Sequence, residues 1–192
     1  LEGTTDITRT FVMGPLTQEE KEHYTYVLKA HIALASAVFL EGCTGGNVDI
    51  LSREQVWKHG IDYRCGTGHG VGMFGGVHEG PQNLRINNHV VLKKGMTITN
   101  EPGIYEEGKH GIRTENIMLV TEDRNTEYGQ FYRFDIITYF PIDTAGIVID
   151  LMSDDDLEWL NHYHQLVYDK LSPQLAGKEL AWLKEHTAPI GR

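Results

Sequence analysis

Four short stretches between Cys65 and Val120 set metal-ligand types and proton carriers beside glycine or proline. They are Gly66-Thr67-Gly68-His69-Gly70-Val71-Gly72, Val77-His78-Glu79-Gly80-Pro81, Thr99-Asn100-Glu101-Pro102-Gly103 and Gly111-Ile112-Arg113-Thr114-Glu115-Asn116. Glycine lets backbone, ion and substrate approach closely. With Asp6 upstream, the candidate ligands are Asp6, His69, Glu101 and Glu115: three carboxylates and one imidazole. Hard oxygen donors with a single nitrogen suit Mn²⁺, Mg²⁺, Co²⁺ or Zn²⁺. A bridging carboxylate can hold two such ions ~3.5–4 Å apart, generating hydroxide near neutral pH, which is the chemistry of metal-assisted hydrolysis. Taken singly, each residue has a plainer reading: His69 in a tight turn, His78 on the surface, Glu101 as a strand-end charge, Asp6 on a solvated strand face. Gly-His-Gly-Val-Gly lacks the lysine of a phosphate loop.

These residues need a scaffold. Residues 2–13 are Thr-rich and roughly alternating, which predicts a strand stopped by Gly14-Pro15. Thr17-Gln18-Glu19-Glu20 has capping-box form and opens an amphipathic helix to about Leu40, with Tyr24, Val27, Leu28, His31, Leu34, Ala35 and Val38 on one face. His31 is read as a core or boundary histidine. Gly42 and Gly45-Gly46 are taken to end that helix, and a second runs from about Val48 to His59 with Val56 and Trp57 inward. Seven glycines from Gly66 to Gly80 favour a strand edge with close backbone packing. Residues 84–94 read as a loop and short strand. Strands follow at Met96–Glu101, Ile112–Val120 and Phe131–Phe140, in a mostly antiparallel sheet. Ser153-Asp154-Asp155-Asp156 caps a helix carrying Leu157, Leu160, His164, Val167 and Leu171, and Ser172-Pro173 restarts a last helix. His162 and His164, two apart on a helix, diverge and suit surface and packing roles. The whole of 1–192 is read as one domain, with 150–192 a helical C-terminal extension.

A chain of 192 residues, 40% hydrophobic, supports one full core. The formal charge of −10 argues against nucleic acid or an anionic membrane as partner and favours divalent cations and peptide amines. No apolar run approaches ~20 residues. Cys43 and Cys65, with no leader visible, read as reduced thiols in a cytoplasmic protein.

The four stretches above, with Gly3-Thr4-Thr5-Asp6-Ile7-Thr8-Arg9-Thr10 and Asn100-Glu101-Pro102-Gly103-Ile104-Tyr105, closely resemble the X-Pro aminopeptidases of the pita-bread metallopeptidase family. Trp159-Leu160-Asn161-His162-Tyr163-His164 and Trp182-Leu183 resemble its cytosolic three-domain eukaryotic branch. The resemblance implies an α+β pita-bread domain, a curved antiparallel sheet with outer helices, that removes the residue preceding proline at a peptide N-terminus. It implies Asp6 and Glu115 as bridging ligands, His69 as the imidazole ligand, and Glu101 as a ligand that also shuttles the proton of the attacking water. His78 then donates to the substrate carbonyl or its oxyanion, His69 and His78 line the substrate site, and Arg113 orients the carboxylates. Mn²⁺ is the expected metal, a homodimer the expected assembly. The family's further metal-ligand Asp lies eleven residues before the position of Asp6, so this chain is expected to hold at most one well-coordinated ion and to be inactive alone unless an N-terminal fragment of the same protein supplies the rest. Cys65 stands where relatives often carry His and is read as a small buried residue. The rivals are a prolidase-type dipeptidase and a non-catalytic pita-bread protein-binding module.

Overall fold

The Thr17 hydroxyl accepts from the Glu20 amide while the Glu20 carboxylate accepts from the Thr17 amide, and this reciprocal cap starts α1 (Gln18–Ala35). The computed structural model describes residues 3–192. α1 stops at Ala35 rather than near Leu40: Ser36 turns the chain, and Val38–Leu40 become strand β1. Alternation explains the switch, since in Val-Phe-Leu only Phe39 faces inward, against Leu34, Tyr132 and Phe134. Gly45-Gly46 opens a helix instead of ending one. Thr44 caps α2 (Gly45–Trp57), and the two glycines meet the backbone of residues 83–88; a Cβ on Gly46 would fall 2.7 Å from the Asn88 oxygen. Val56 is buried, but Trp57, expected inward, is 40% exposed on the adjoining face.

Strand β4 (Thr97–Asn100), β7 (Asn116–Thr126) and β8 (Gly129–Ile136) join β1 in an antiparallel sheet of order β1-β8-β7-β4. Two short antiparallel ribbons flank it: β2 (Gly68–His69) with β3 (Asn83–Leu84), and β5 (Gly103–Glu106) with β6 (His110–Arg113). The strand expected over Ile112–Val120 is two elements. Arg113 pairs with Gly103 in one ribbon and Asn116 with Asn100 in the sheet, so the chain crosses between them at Thr114-Glu115, opposite the crossing at Glu101-Pro102. The strand expected to Phe140 ends at Ile136. Residues 3–13 form an extended segment with one bridge, Thr8 to Glu115, rather than a regular strand; Glu2, the start of the expected strand, lies outside the described residues.

Helix α3 (Asp154–Leu171) is capped by Ser153 and packs Leu157, Leu160 and Val167 against Leu28 and Ile32 of α1. Lys29 and Asp156 tie the pair at 2.6 Å. Ser172-Pro173 gives a 3-10 turn, Ser172–Gln174, before α4 (Gly177–His186) adds Leu183 to the same cluster. His164 is buried within it and His162 is exposed.

Candidate metal centre

The double crossing brings Glu101 and Glu115 to one place, because the chain leaves the same sheet for the same ribbon at both points. His69 is added from the ribbon beside β4: its amide donates to Thr99 Oγ1 at 2.9 Å, and the neighbouring Gly70 bridges Ile98. Gly68 makes this approach possible, since a Cβ there would fall 2.8 Å from the Thr99 carbonyl carbon. Asp6 arrives on the extended segment. Ligand atoms of Asp6, His69 and Glu115 all lie within 4.8 Å of one another. Glu101 stands just outside this trio, its Oε1 3.0 Å from His69 Nε2 and also accepting from Thr99 Oγ1 at 3.0 Å. Its Oε2 lies 3.2 Å from Arg113 Nη1. His78 offers nothing to the trio, but its exposed ring lies edge-on to His69, centroids 4.1 Å apart.

The electrostatics concentrate negative charge around one imidazole. Burial, together with the charges of Glu101 and Asp6, pushes the Glu115 carboxyl up to about 7 in spite of the hydrogen bond from Thr8. Its second oxygen, Oε1, is buried with no hydrogen-bond partner. Burial alone would lower His69, but the Glu101 carboxylate and the Gly70 carbonyl outweigh it and hold the imidazole above its ordinary value. Burial alone would raise Glu101, and His69, Arg113 and Thr99 pull it below the usual carboxylate range. His69 Nδ1 lies 3.0 Å from the Gly70 carbonyl; donation there leaves Nε2 free as the ligating nitrogen. An orphaned carboxylate oxygen, a second carboxylate and a tautomer-fixed imidazole within reach of one another fit a divalent cation.

The sequence pattern of metallopeptidase family M24 matches residues 1–122, and that of the C-terminal region of peptidase M24 matches residues 130–190. The chain belongs to metallopeptidase family M24. It is 46% identical to aminopeptidase P1 of Lotus japonicus, over 100% of this chain and 30% of that protein. It is 45% identical to a probable Xaa-Pro aminopeptidase P of Coprinopsis cinerea, over 98% of this chain and 32% of that protein. The chain spans about a third of the length of the curated relatives it matches. X-prolyl aminopeptidase from Caenorhabditis elegans, a cytosolic enzyme with a di-nuclear active site, superposes with a TM-score of 0.91 at 39% identity, over 98% of this chain and 31% of that one. Xaa-Pro dipeptidase from Bacillus anthracis reaches 0.60 at 34% identity, over 72% of this chain and 36% of that one. The architecture is the α+β pita-bread fold.

In this M24 chain several residues around the centre escaped the sequence reading. Arg9 clasps the segment that carries Asp6. Its Nη1 donates to the carbonyls of Thr8 and Glu115 at 2.8 and 2.6 Å, and its Nη2 to Asn116 Oδ1 and Tyr163 Oη at 2.9 and 2.6 Å. Thr-Arg-Thr in an alternating stretch reads as a surface strand, and nothing local signals those distant acceptors. Thr8 and Thr99 each give a hydroxyl to a carboxylate, and Arg113 Nε donates to Tyr105 Oη at 2.7 Å. Asp49, fully buried, pairs with Arg53 at 2.7 Å and accepts from Thr67, whose carbonyl takes the Glu101 amide at 2.8 Å. The Asp49–Arg53 pair, four apart on a helix, was visible in the sequence as a candidate ion pair, though its burial was not. Cys65 is half-buried, Sγ 3.9 Å from the Gly103 carbonyl, and burial pushes its thiol up.

Proposed function

We propose that this chain supplies much of the catalytic centre of a metal-dependent X-Pro aminopeptidase. The observation that carries the reading is the clustering of Asp6, His69 and Glu115, together with a buried Glu115 oxygen that has no hydrogen-bond partner. A divalent ion held there would supply Lewis acidity and a nucleophile at neutral pH. Asp6, His69 and Glu115 would hold it, with Glu101 moving in from its present bonds. Glu101, one oxygen steadied by Thr99 and the other by Arg113, would take the proton of the attacking water. Arg113, itself held by Tyr105, keeps that carboxylate in one orientation. The exposed His78 imidazole, edge-on to His69, would donate to the oxygen of a substrate carbonyl as charge develops there. A peptide with proline second presents a fixed φ and no amide proton at the scissile bond, which makes orientation by such donors effective. Mn²⁺ as the metal, a second ion as in the di-nuclear Caenorhabditis elegans relative, a homodimer and a cytoplasmic setting belong to the same proposal.

Calorimetric titration of Mn²⁺ tests the centre. Binding to this chain is expected to disappear in Glu115→Gln and His69→Ala, and an unchanged isotherm in both would sink the assignment. Failure of Mn²⁺ to bind at all would support the protein-binding module. X-Pro cleavage is then measured on this chain and on a protein extended upstream of Asp6, and the longer protein is expected to cleave faster. Faster cleavage of X-Pro dipeptides than of longer X-Pro peptides would favour the dipeptidase, whose solved relative matches less of the chain.

A further inference from the structure

A second group of ligand types lies where α1 meets the β5–β6 ribbon. His23 on α1 and His110 at the start of β6 face each other, His23 Nδ1 lying 2.9 Å from His110 Nε2, with ring centroids 5.0 Å apart. A carboxylate accompanies each, from the same helix for His23 and from the neighbouring strand for His110. Glu19 precedes His23 by one helical turn, the i,i+4 spacing that places two side chains on one face. Glu106 is the direct cross-strand partner of His110 in the β5–β6 register, a position that brings the two Cβ atoms to ~5 Å. Helix α1 and the β5–β6 ribbon therefore each carry one imidazole and one carboxylate at this contact, the imidazoles already touching and both carboxylates near enough to act on the charge of His23.

We infer that His23 and His110, completed by Glu19 and Glu106, form a binding site for a borderline divalent ion, Zn²⁺ above all, that joins α1 to the β5–β6 ribbon. Two nitrogens and two oxygens make a tetrahedral set that Zn²⁺ accepts. At Zn–N distances of ~2.0–2.1 Å two ligating nitrogens stand about 3.3 Å apart, so the pair need open only slightly from the 2.9 Å it now spans. His23 is only 6% exposed, and burial, with the neighbouring His110, lowers its proton affinity below the ordinary value, which keeps the ring available to a metal. The Glu19 side chain is exposed and that of Glu106 partly so. Glu19 now reaches Lys109 Nζ at 2.9 and 3.0 Å, a largely exposed pair that is readily exchanged for a cation. Arg113 lies three residues beyond His110 on the same strand, so an ion here would also steady the ribbon that orients Glu101.

The test uses Zn²⁺ itself, titrated by calorimetry into the chain carrying His69→Ala and Glu115→Gln, in which the first centre is disabled. One equivalent is expected to remain. Adding His110→Phe, at a partly exposed position that tolerates an apolar ring, is expected to remove it, and Glu106→Gln to weaken it about tenfold. Co²⁺ in place of Zn²⁺ is expected to show the intense visible absorption of four-coordinate cobalt, lost in the same variants. If the disabled-centre chain does not fold, the same comparison is made between the unmodified chain and His110→Phe alone, where the total stoichiometry is expected to fall by one. No residual equivalent, or one indifferent to His110→Phe, overturns the site.

Discussion

Replacing Arg9 by Met removes the guanidinium from the segment that carries Asp6 while keeping most of its aliphatic bulk. Seven donor contacts are lost. Those to the Phe140 carbonyl lie toward solvent, where water replaces them, and the part-buried Pro141 carbonyl shares the Nε donor with Phe140 at 3.1 Å. Four acceptors, the Thr8 and Glu115 carbonyls, Asn116 Oδ1 and Tyr163 Oη, lie deeper, with Asn116 and Tyr163 at 0% and 2% exposure. At about 1 kcal/mol net for each bond forfeited, the expected loss is ~4 kcal/mol. That is a large fraction of a typical domain stability of ~5–15 kcal/mol. Arg9→Lys, which keeps the charge but cannot fork, is expected to fall midway. Urea unfolding reads the stability as a shift in midpoint at constant slope. Because Asp6 is three residues upstream of Arg9, Mn²⁺ affinity should fall with it. A loss under ~1 kcal/mol with unchanged Mn²⁺ affinity would refute the clasp, since buried acceptors left bare cannot be that cheap.

Two further outcomes are open to measurement. Burial, with the charge of Arg9 adding to it, pushes the His164 imidazole down to about 4, against ~6.5 in an unfolded chain. A base depressed in this way contributes stability that is complete above pH ~6.5 and is lost as the pH falls toward its folded value. At pH 5 the loss is ~2 kcal/mol. His164→Gln retains an acceptor for the Ile142 amide that His164 Nε2 now takes at 3.1 Å, and should flatten the drop between pH 8 and pH 5 by that amount in urea midpoints; an equal drop in both proteins contradicts the buried neutral histidine. Gly68→Ala would force its methyl against the Thr99 carbonyl and Leu84, and is expected to lower stability by ~3 kcal/mol and weaken Mn²⁺ binding as His69 shifts. A normal melting curve with full affinity would show that β2 yields without cost.

What could be read from the sequence was largely what is local. Thr17 with Glu20, and Ser153 at the start of α3, carry their caps within four residues, so those helix starts were visible. Gly45-Gly46 was ambiguous because glycine serves either end of a helix, and the reason for the pair is pressure from the backbone of residues 83–88, which no window contains. The strand Ile112–Val120 looked continuous because alternation persists through Thr114-Glu115, although the hydrogen bonds change partner there. For the centre, His69, Glu101 and Glu115 stood out by motif, and the structure adds how a paired crossing gathers them. Arg9 had no such signal: its acceptors belong to β7, to the chain beyond β8 and to α3, and only the tertiary fold brings them together.

Asp6 reaches its neighbours on a stretch with a single bridge to the sheet, whereas His69, Glu101 and Glu115 are anchored by the sheet and its ribbons. Ion capture and the docking of that stretch are then two sides of one equilibrium: whatever affinity the cation draws from a seated strap, the strap draws from the cation. Local peeling at this edge can empty the centre while the helices and sheet stay intact. At the proposed centre the residence time of a bound metal would then be a clock for how long a dozen residues stay put.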